Sequence, residues 1–291
     1  MYDLLLLSRP AQWLKNLFLF LPLFFSLQVY HSTILIQAAL AFVAFCTLAS
    51  SVYIFNDYHD IDEDRLHPRK KMRPLAAGRV SGTKALCVSA VLLAVGLTGA
   101  ALLSLPMLYF ALLYLGLNAA YTIKLKHVPI IDIFIIASGF VIRIFIGGAV
   151  TGIRLSPWIV IMTFLLALFL ALGKRRDDVL IFLNHGERMR KSVDGYNLAF
   201  IDGSMLAMAS ITIVSYIMYT MSHDIITKFN TDHLYLTSGF VILGMMRYLQ
   251  VTLVEQQSGA PSDIVLRDHF IQASIVGWIV TFWFLVYFHC H

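Results

Sequence analysis

Nine apolar stretches, each bounded by polar clusters and close to bilayer-crossing length, dominate the chain: 17–30, 34–55, 85–104, 106–123, 130–150, 157–173, 203–221, 234–251 and 269–288. A helix needs about 20 apolar residues to cross a hydrocarbon layer about 30 Å thick, and in lipid the backbone must satisfy its own hydrogen bonds. The pattern therefore predicts an all-α integral membrane protein of about nine transmembrane helices. Composition agrees: 59% of the 291 residues are apolar, 13% are charged and the mean hydropathy is +0.76, more apolar surface than a soluble domain of this length can bury. No Ser/Pro/Gly-rich linker separates the stretches, so one membrane domain over 1–291 is expected. No cleaved leader is expected either, because the first apolar run lacks a charged start and a small-residue cleavage site. Pro22 interrupts the first stretch, and only Ser104-Leu105-Pro106 divides the third from the fourth, where one long bent helix is the alternative. Cys46, Cys87 and Cys290 stand singly in apolar surroundings and read as small hydrophobes.

Basic residues supply an independent test of this map, since cytoplasmic ends collect Lys and Arg. With the N-terminus cytoplasmic, eighteen of the 22 basic residues fall on that side, with Arg154 and Lys228 opposite and Arg143 and Arg247 within helices. This predicts a multi-pass protein of the inner or plasma membrane, N-terminus in and C-terminus out. The net charge of +5 is then a matter of topology and of anionic lipid or substrate, and no nucleic-acid partner is expected.

The segment after the second stretch, "NDYHDIDEDRLHPRKKMRPLAAG" at 56–78, carries the densest chemistry. Continuing the helix for two turns puts Asp57, Asp60 and Asp64 on one face beside Asn56, with Asp62 and Glu63 off it. Carboxylates stacked in this way repel unless a cation neutralises them, and hard oxygen ligands left partly open suit Mg²⁺ held jointly with substrate phosphates. Arg65, His67, Lys70, Lys71, Arg73 and Arg79 follow. Beside the carboxylate row, Lys70, Lys71 and Arg73 fit contacts to a diphosphate or sugar phosphate; a plain topological anchor is the other reading.

Two more clusters share that side. In "YTIKLKHVPIID", Tyr121, Lys124 and Lys126 are interface anchors or ligands, and Asp132 enters an apolar helix, where an aspartate faces protein, water or a cation. Arg143, about three turns deeper, is a structural partner or a ligand for an anionic group. In "ALGKRRDDV", Lys174 and Arg175 fit phosphate contacts, and of the adjacent Asp177 and Asp178 only one can point squarely into a shared site. Glu187, Arg188, Arg190, Lys191 and Tyr196 lie in the polar connection beyond. Arg247 is expected to snorkel toward Glu255 or toward a lipid head group.

These residues resemble the UbiA superfamily of intramembrane prenyltransferases, whose motif NDxxDxxxD is matched by Asn56, Asp57, Asp60 and Asp64. A narrower likeness, to the decaprenyl-phosphate phosphoribosyltransferase branch, rests on "RPAQWLKN" at 9–16, "HPRKKMRPLAAG" at 67–78, "LKHVPIIDI" at 125–133, "SGFVIRIFIGG" at 138–148 and "LALGKRR" at 170–176. The resemblance implies nine helices around a central cavity open to the cytoplasmic side. It implies a Mg²⁺ site at Asp57, Asp60 and Asp64, with Lys15, Lys70, Arg73, Lys126 and Arg143 around the phosphates. The superfamily's second motif, DxxxD, is missing, with Ile181 four residues after Asp177. The branch's KRRxE reads "KRRDD", which leaves Asp178 in the place of the glutamate.

In that branch a polyprenyl phosphate attacks C1 of 5-phosphoribosyl diphosphate and releases diphosphate. The acceptor phosphate is already ionised, so no strong general base is needed, and His67 and His127 read as structural or phosphate-contact residues. Expected partners are membrane lipids, polyprenyl phosphate and 5-phosphoribosyl diphosphate, with a homo-oligomer allowed for. The alternative is an aromatic prenyltransferase using a polyprenyl diphosphate donor. A transporter fits less well, since the charges gather on one side and line no transmembrane path.

Overall fold

The computed structural model describes residues 2–66, 70–185, 191–256 and 261–289, and all secondary structure among them is helical. His67, Glu187, Arg188, Arg190 and Cys290, marked by the sequence, lie outside the described residues. Two compact units divide the chain, 1–156 and 157–291.

The first unit opens with α1 (Tyr2–Leu7), a 3₁₀ segment (Pro10–Phe20) and α2 (Leu21–Phe25). The long α3 (Ser32–His59) follows, then the short α4 (Ile61–Leu66), α5 (Gly82–Leu103), α6 (Leu105–Ile123) and α7 (Ile131–Thr151). Ser104 adopts an extended conformation (φ −169°, ψ 132°), so α5 and α6 are separate helices and the single bent helix is ruled out. Between membrane helices the apolar effect is weak and close packing takes its place. On α3, Ala38, Ala41 and Ala44 are buried and let neighbours approach. On α5, a Cβ added at Gly96 would sit 2.5 Å from the Leu48 side chain, so the α3–α5 contact needs glycine there. The outer faces stay apolar: the α5 span has only 17% of its most apolar window buried inside the protein, which leaves lipid as the solvent for the rest.

The predicted helix over 17–30 is replaced by shorter pieces. Pro10 and Pro22 each sit in a first helical turn, and Leu27 takes a left-handed conformation (φ 58°) that ends α2 before a further 3₁₀ turn at Gln28–Tyr30. The 3₁₀ segment shows a period of three, as eclipsed side chains require. Asn16, Leu19 and Pro22 are buried and Trp13 half-buried, whereas Ala11, Leu14 and Leu17 are exposed. The segment lies antiparallel to α3, with Trp13 Nε1 donating to Ser50 Oγ (3.0 Å), Asn16 Nδ2 to Cys46 Sγ (3.1 Å), and Phe20 packing on Phe42 (5.7 Å between ring centres). It also presses on α7, where a Cβ at Gly147 would fall 2.1 Å from the Leu19 carbonyl oxygen. At about 2.0 Å per 3₁₀ residue and 1.5 Å per α residue, Pro10–Phe25 extends roughly 30 Å.

The second unit contains α8 (Pro157–His185), α9 (Leu198–Thr220), α10 (His223–Phe229), α11 (Ser238–Leu249), α12 (Pro261–Arg267) and α13 (His269–His289). A π-helical turn, Gln250–Val254, extends α11. Here α8 outruns its predicted end at 173 by three turns, so "KRRDD" is helical and does not follow the helix. Arg176 ties three elements together, donating from Nε to Asp202 Oδ1 on α9 (2.7 Å) and from Nη1 to the Thr252 carbonyl in the π turn (2.7 Å). Arg247 meets Glu255 (2.7 Å) as expected, and also Asp268 (2.8 Å). Among the described residues of both units, eight helices are long and apolar enough to cross a membrane.

Candidate active site

The end of α3 positions the first aspartate. Asp57 lies in its last turn, Asp60 caps it (φ −96°, ψ 9°) and Asp64 belongs to α4, so the helix does not continue unbroken through the row as expected. Two backbone bonds nevertheless bridge the break, from Asp60 N to the Asn56 carbonyl (3.0 Å) and from Asp64 N to the Asp60 carbonyl (2.7 Å). Helical spacing survives, and Asp57, Asp60 and Asp64 are 2%, 6% and 2% exposed. Asp62 and Glu63 point outward; Asp62 meets Arg65 across the surface (3.2 Å).

Burying three carboxylates requires paired positive charge. Arg9 grips Asp57 with a fork, Nε to Oδ2 at 3.1 Å and Nη2 to Oδ1. Arg73 Nη1 reaches both Asp57 Oδ1 (3.1 Å) and Asp64 Oδ2 (2.6 Å). Lys126 Nζ pairs with Asp60 Oδ1, while Asn56 Nδ2 donates to Asp60 Oδ2 (2.9 Å). Asn56 Oδ1 in turn accepts from Thr122 on α6 (3.2 Å), which fixes the amide that holds Asp60. Arg9 itself has a left-handed backbone (φ 52°, ψ 61°) and lies over the Tyr53 ring (5.5 Å). Burial pushes its guanidinium below the ordinary arginine value while Asp57 acts the other way. Arg79 shapes the connecting loop by bonding Asp3 (2.8 Å) and the Met72 carbonyl (2.9 Å).

Of the residues singled out in the sequence, Asn56, Arg73 and Lys126 come together on the aspartates. Lys70 and Tyr121 are half-buried and Lys71 is exposed. Lys15 is half-buried within the 3₁₀ segment. Asp132 is fully buried at the first turn of α7 and accepts the Ile133 N–H (2.9 Å). Arg143 is buried deeper in α7 and bonds Asn16 Oδ1 (2.8 Å) and the Gly139 carbonyl (2.6 Å). Around it stand Phe45, Tyr114 and Phe140, 5.2–5.3 Å from the guanidinium carbon to the ring centres. In the second unit Lys174 is exposed, and Arg175, fully buried, pairs with Asp178 one turn on. Sequence reasoning missed Arg9 as a site residue and Arg176 as a tie between helices. Both carry ordinary positive-inside signals, and only the "RP" and "KRR" contexts distinguish them.

The donor set is chemically apt for Mg²⁺: hard carboxylate oxygens, buried and close to fixed cations. Among the described residues no three acidic, histidine or cysteine side chains are grouped so as to hold a metal ion by themselves.

A model of the UbiA prenyltransferase family matches residues 17–181. The decaprenyl-phosphate phosphoribosyltransferase of Mycolicibacterium smegmatis is 31% identical over 290 residues, covering 96% of this chain and 91% of that protein. Its counterpart from Corynebacterium glutamicum is 30% identical, covering 96% and 85%. Among solved structures, a UbiA homolog from Archaeoglobus fulgidus bound to GPP and Mg²⁺ superposes with a TM-score of 0.69 at 20% identity, covering 94% of this chain and 98% of that one. The apo UbiA homolog from Aeropyrum pernix gives 0.68 at 19% identity, covering 92% and 98%. At such identities the structural likeness is one of fold.

Proposed function

The chain belongs to the UbiA prenyltransferase family, and from that membership we propose that it transfers ribose 5-phosphate from 5-phosphoribosyl diphosphate to a polyprenyl phosphate, releasing diphosphate. The observation that carries the reading is the row of buried, cation-paired carboxylates at the end of α3, in a chain similar over nearly its whole length to phosphoribosyltransferases of this chemistry.

Asp57, Asp60 and Asp64 would hold Mg²⁺, which when bound would supply Lewis-acid charge to the departing diphosphate. Arg9, Arg73 and Lys126 lie beside those carboxylates and stabilise the same oxygens as negative charge grows on them. The lipid phosphate oxygen forms its bond to C1 as the C1–diphosphate bond breaks. The attacking phosphate is anionic, so no protein base removes a proton. Lys15, Lys70, Lys71 and Tyr121 are the further phosphate contacts of the first unit; in the second unit Lys174 and Arg175 are the basic substrate contacts and Asp178, the partner of Arg175, the acidic one. Arg143, held by Asn16 and three aromatic rings, serves the deeper part of the pocket.

The two units form one membrane domain. The antiparallel traverse of Pro10–Phe25 along α3 supports counting it as the first of nine crossings around a cavity. The basic-residue bias supports a cytoplasmic N-terminus and pocket mouth, with the C-terminus on the far side of the cell membrane.

The test is transfer by purified protein in lipid or detergent. Labelled ribose 5-phosphate should move from its diphosphate onto polyprenyl phosphate with Mg²⁺ present, and EDTA should stop it. A preparation that fails with several isoprenoid lengths yet joins a prenyl diphosphate to an aromatic acceptor would replace this reading with the aromatic prenyltransferase.

A further inference from the structure

The aspartates carry their own counter-ions, and the two sets match in number. Arg9 and Arg73 sit on Asp57, Arg73 also sits on Asp64, and Lys126 sits on Asp60. The layers are ordered too. The Asp57 and Asp64 side chains are 2% and 3% exposed, while the Arg9 and Arg73 side chains covering them are 20% and 26% exposed. At Asp57 and Asp64 a solute approaching from water therefore meets guanidinium before carboxylate, whereas Lys126 and Asp60 are buried alike, 7% and 9% exposed.

We propose that Arg9, Arg73 and Lys126 are exchangeable counter-ions, which neutralise the aspartates in the empty site and pass to the donor's diphosphate oxygens when it enters with its divalent cation. Metal and diphosphate then bind as a coupled pair, and neither binds well alone. This rests on the reading that these aspartates hold the metal on a diphosphate.

The electrostatics set the direction of the coupling. A divalent cation arriving alone must displace a bonded guanidinium or ammonium, and the displaced group stays beside it with no anion to accept it. A diphosphate arriving alone finds the cations already committed, each bonded to a carboxylate whose negative charge opposes it. When both arrive, the carboxylates turn to the metal and the three cations to the phosphate oxygens, for which the arginine fork is well shaped. Arg9 is suited to such an exchange, because a left-handed backbone immediately before Pro10 is unfavourable and persists only while something holds it. Its fork on Asp57 and its place over the Tyr53 ring are side-chain contacts made in that conformation.

Equilibrium dialysis of the full-length protein, using Mn²⁺ and radiolabelled inorganic diphosphate and correcting for their complex in solution, reads the coupling directly. For the unaltered protein, each ligand should tighten the other at least ~10-fold, within the usual range for coupled sites. Arg73→Gln, alone or with Arg9→Gln, should bind Mn²⁺ alone more tightly and lose most of that mutual tightening. Arg73→Lys keeps the charge and should still exclude Mn²⁺ alone, which separates the effect from misfolding. If the unaltered protein binds Mn²⁺ equally well with and without diphosphate, or if Arg73→Gln weakens Mn²⁺ alone in a monodisperse preparation, the exchange is wrong and the metal site stands. If the unaltered protein retains neither ligand even when both are supplied, the metal–diphosphate reading fails and the exchange falls with it.

Discussion

Replacing Asp60 by asparagine keeps the shape of the side chain and its bond from Asn56, but it leaves the Lys126 ammonium, 6% exposed, without its anion. Removing one partner of a buried pair typically costs about 3–5 kcal/mol. Asp60→Asn should therefore lose roughly 3–5 kcal/mol of stability together with nearly all Mg²⁺-dependent turnover. Adding Lys126→Met removes the orphaned charge, and the double variant should regain most of the lost stability but none of the activity. Thermal unfolding in detergent reads the first quantity, and transfer of labelled ribose 5-phosphate the second. Turnover near normal in either folded variant would refute Asp60 as a metal ligand. A double variant no more stable than the single would refute the buried pair as the source of the loss.

Asp62→Asn should leave turnover within about twofold, since that side chain is 95% exposed and pairs with Arg65 at the surface; a loss as deep as that of Asp60→Asn would show the row has been read in the wrong register. Gly147→Ala should destabilise by at least the ~1–3 kcal/mol typical of overpacking, because the 3₁₀ backbone at Leu19 must move to admit the methyl group. Unchanged thermal stability would show that the close approach is absent. Cysteines placed at the exposed Lys71 and Lys174, in protein freed of Cys46, Cys87 and Cys290, should resist an impermeant thiol reagent applied to intact cells and react after lysis. Strong labelling from outside at either position would invert the proposed orientation.

Hydropathy was enough to find eight of the nine stretches, because α3, α5–α9, α11 with its extensions and α13 each meet lipid with an apolar surface that no soluble helix shows. The other, 17–30, misled because the usual 1.5 Å rise was assumed. A 3₁₀ backbone covers the same distance with fewer residues, starting at Pro10, and keeps its polar side chains on a three-residue stripe that an α-helical period scatters. The aspartate row was legible since a carboxylate at every third or fourth position survives a break at Asp60 as long as the hydrogen bonds across it do. Arg9 was not. Its partner lies 48 residues away, and nothing local distinguishes a lysine or arginine held by a buried carboxylate from one held by lipid phosphate. Extension of α8 through "KRRDD" was missed for a related reason. Charge was read as the end of a helix, although Arg175 and Arg176 are buried and paired with Asp178, Asp202 and a carbonyl.

The 3₁₀ segment also bears on how the protein is made. Its polar groups are satisfied by chain synthesised later: Arg9 by Asp57, Trp13 by Ser50, and Asn16 by Cys46 and by Arg143. Alone in the bilayer, those groups would face hydrocarbon unpaired, at a cost of several kcal/mol for each buried polar group left without a partner. A stretch made before all of its partners is thus among the last that can settle. It must wait at the interface or in the insertion machinery until α3 has entered, and Arg143 obliges it to wait for α7. Truncations made during synthesis should accordingly leave residues 10–25 accessible up to the emergence of α7 and protected after it.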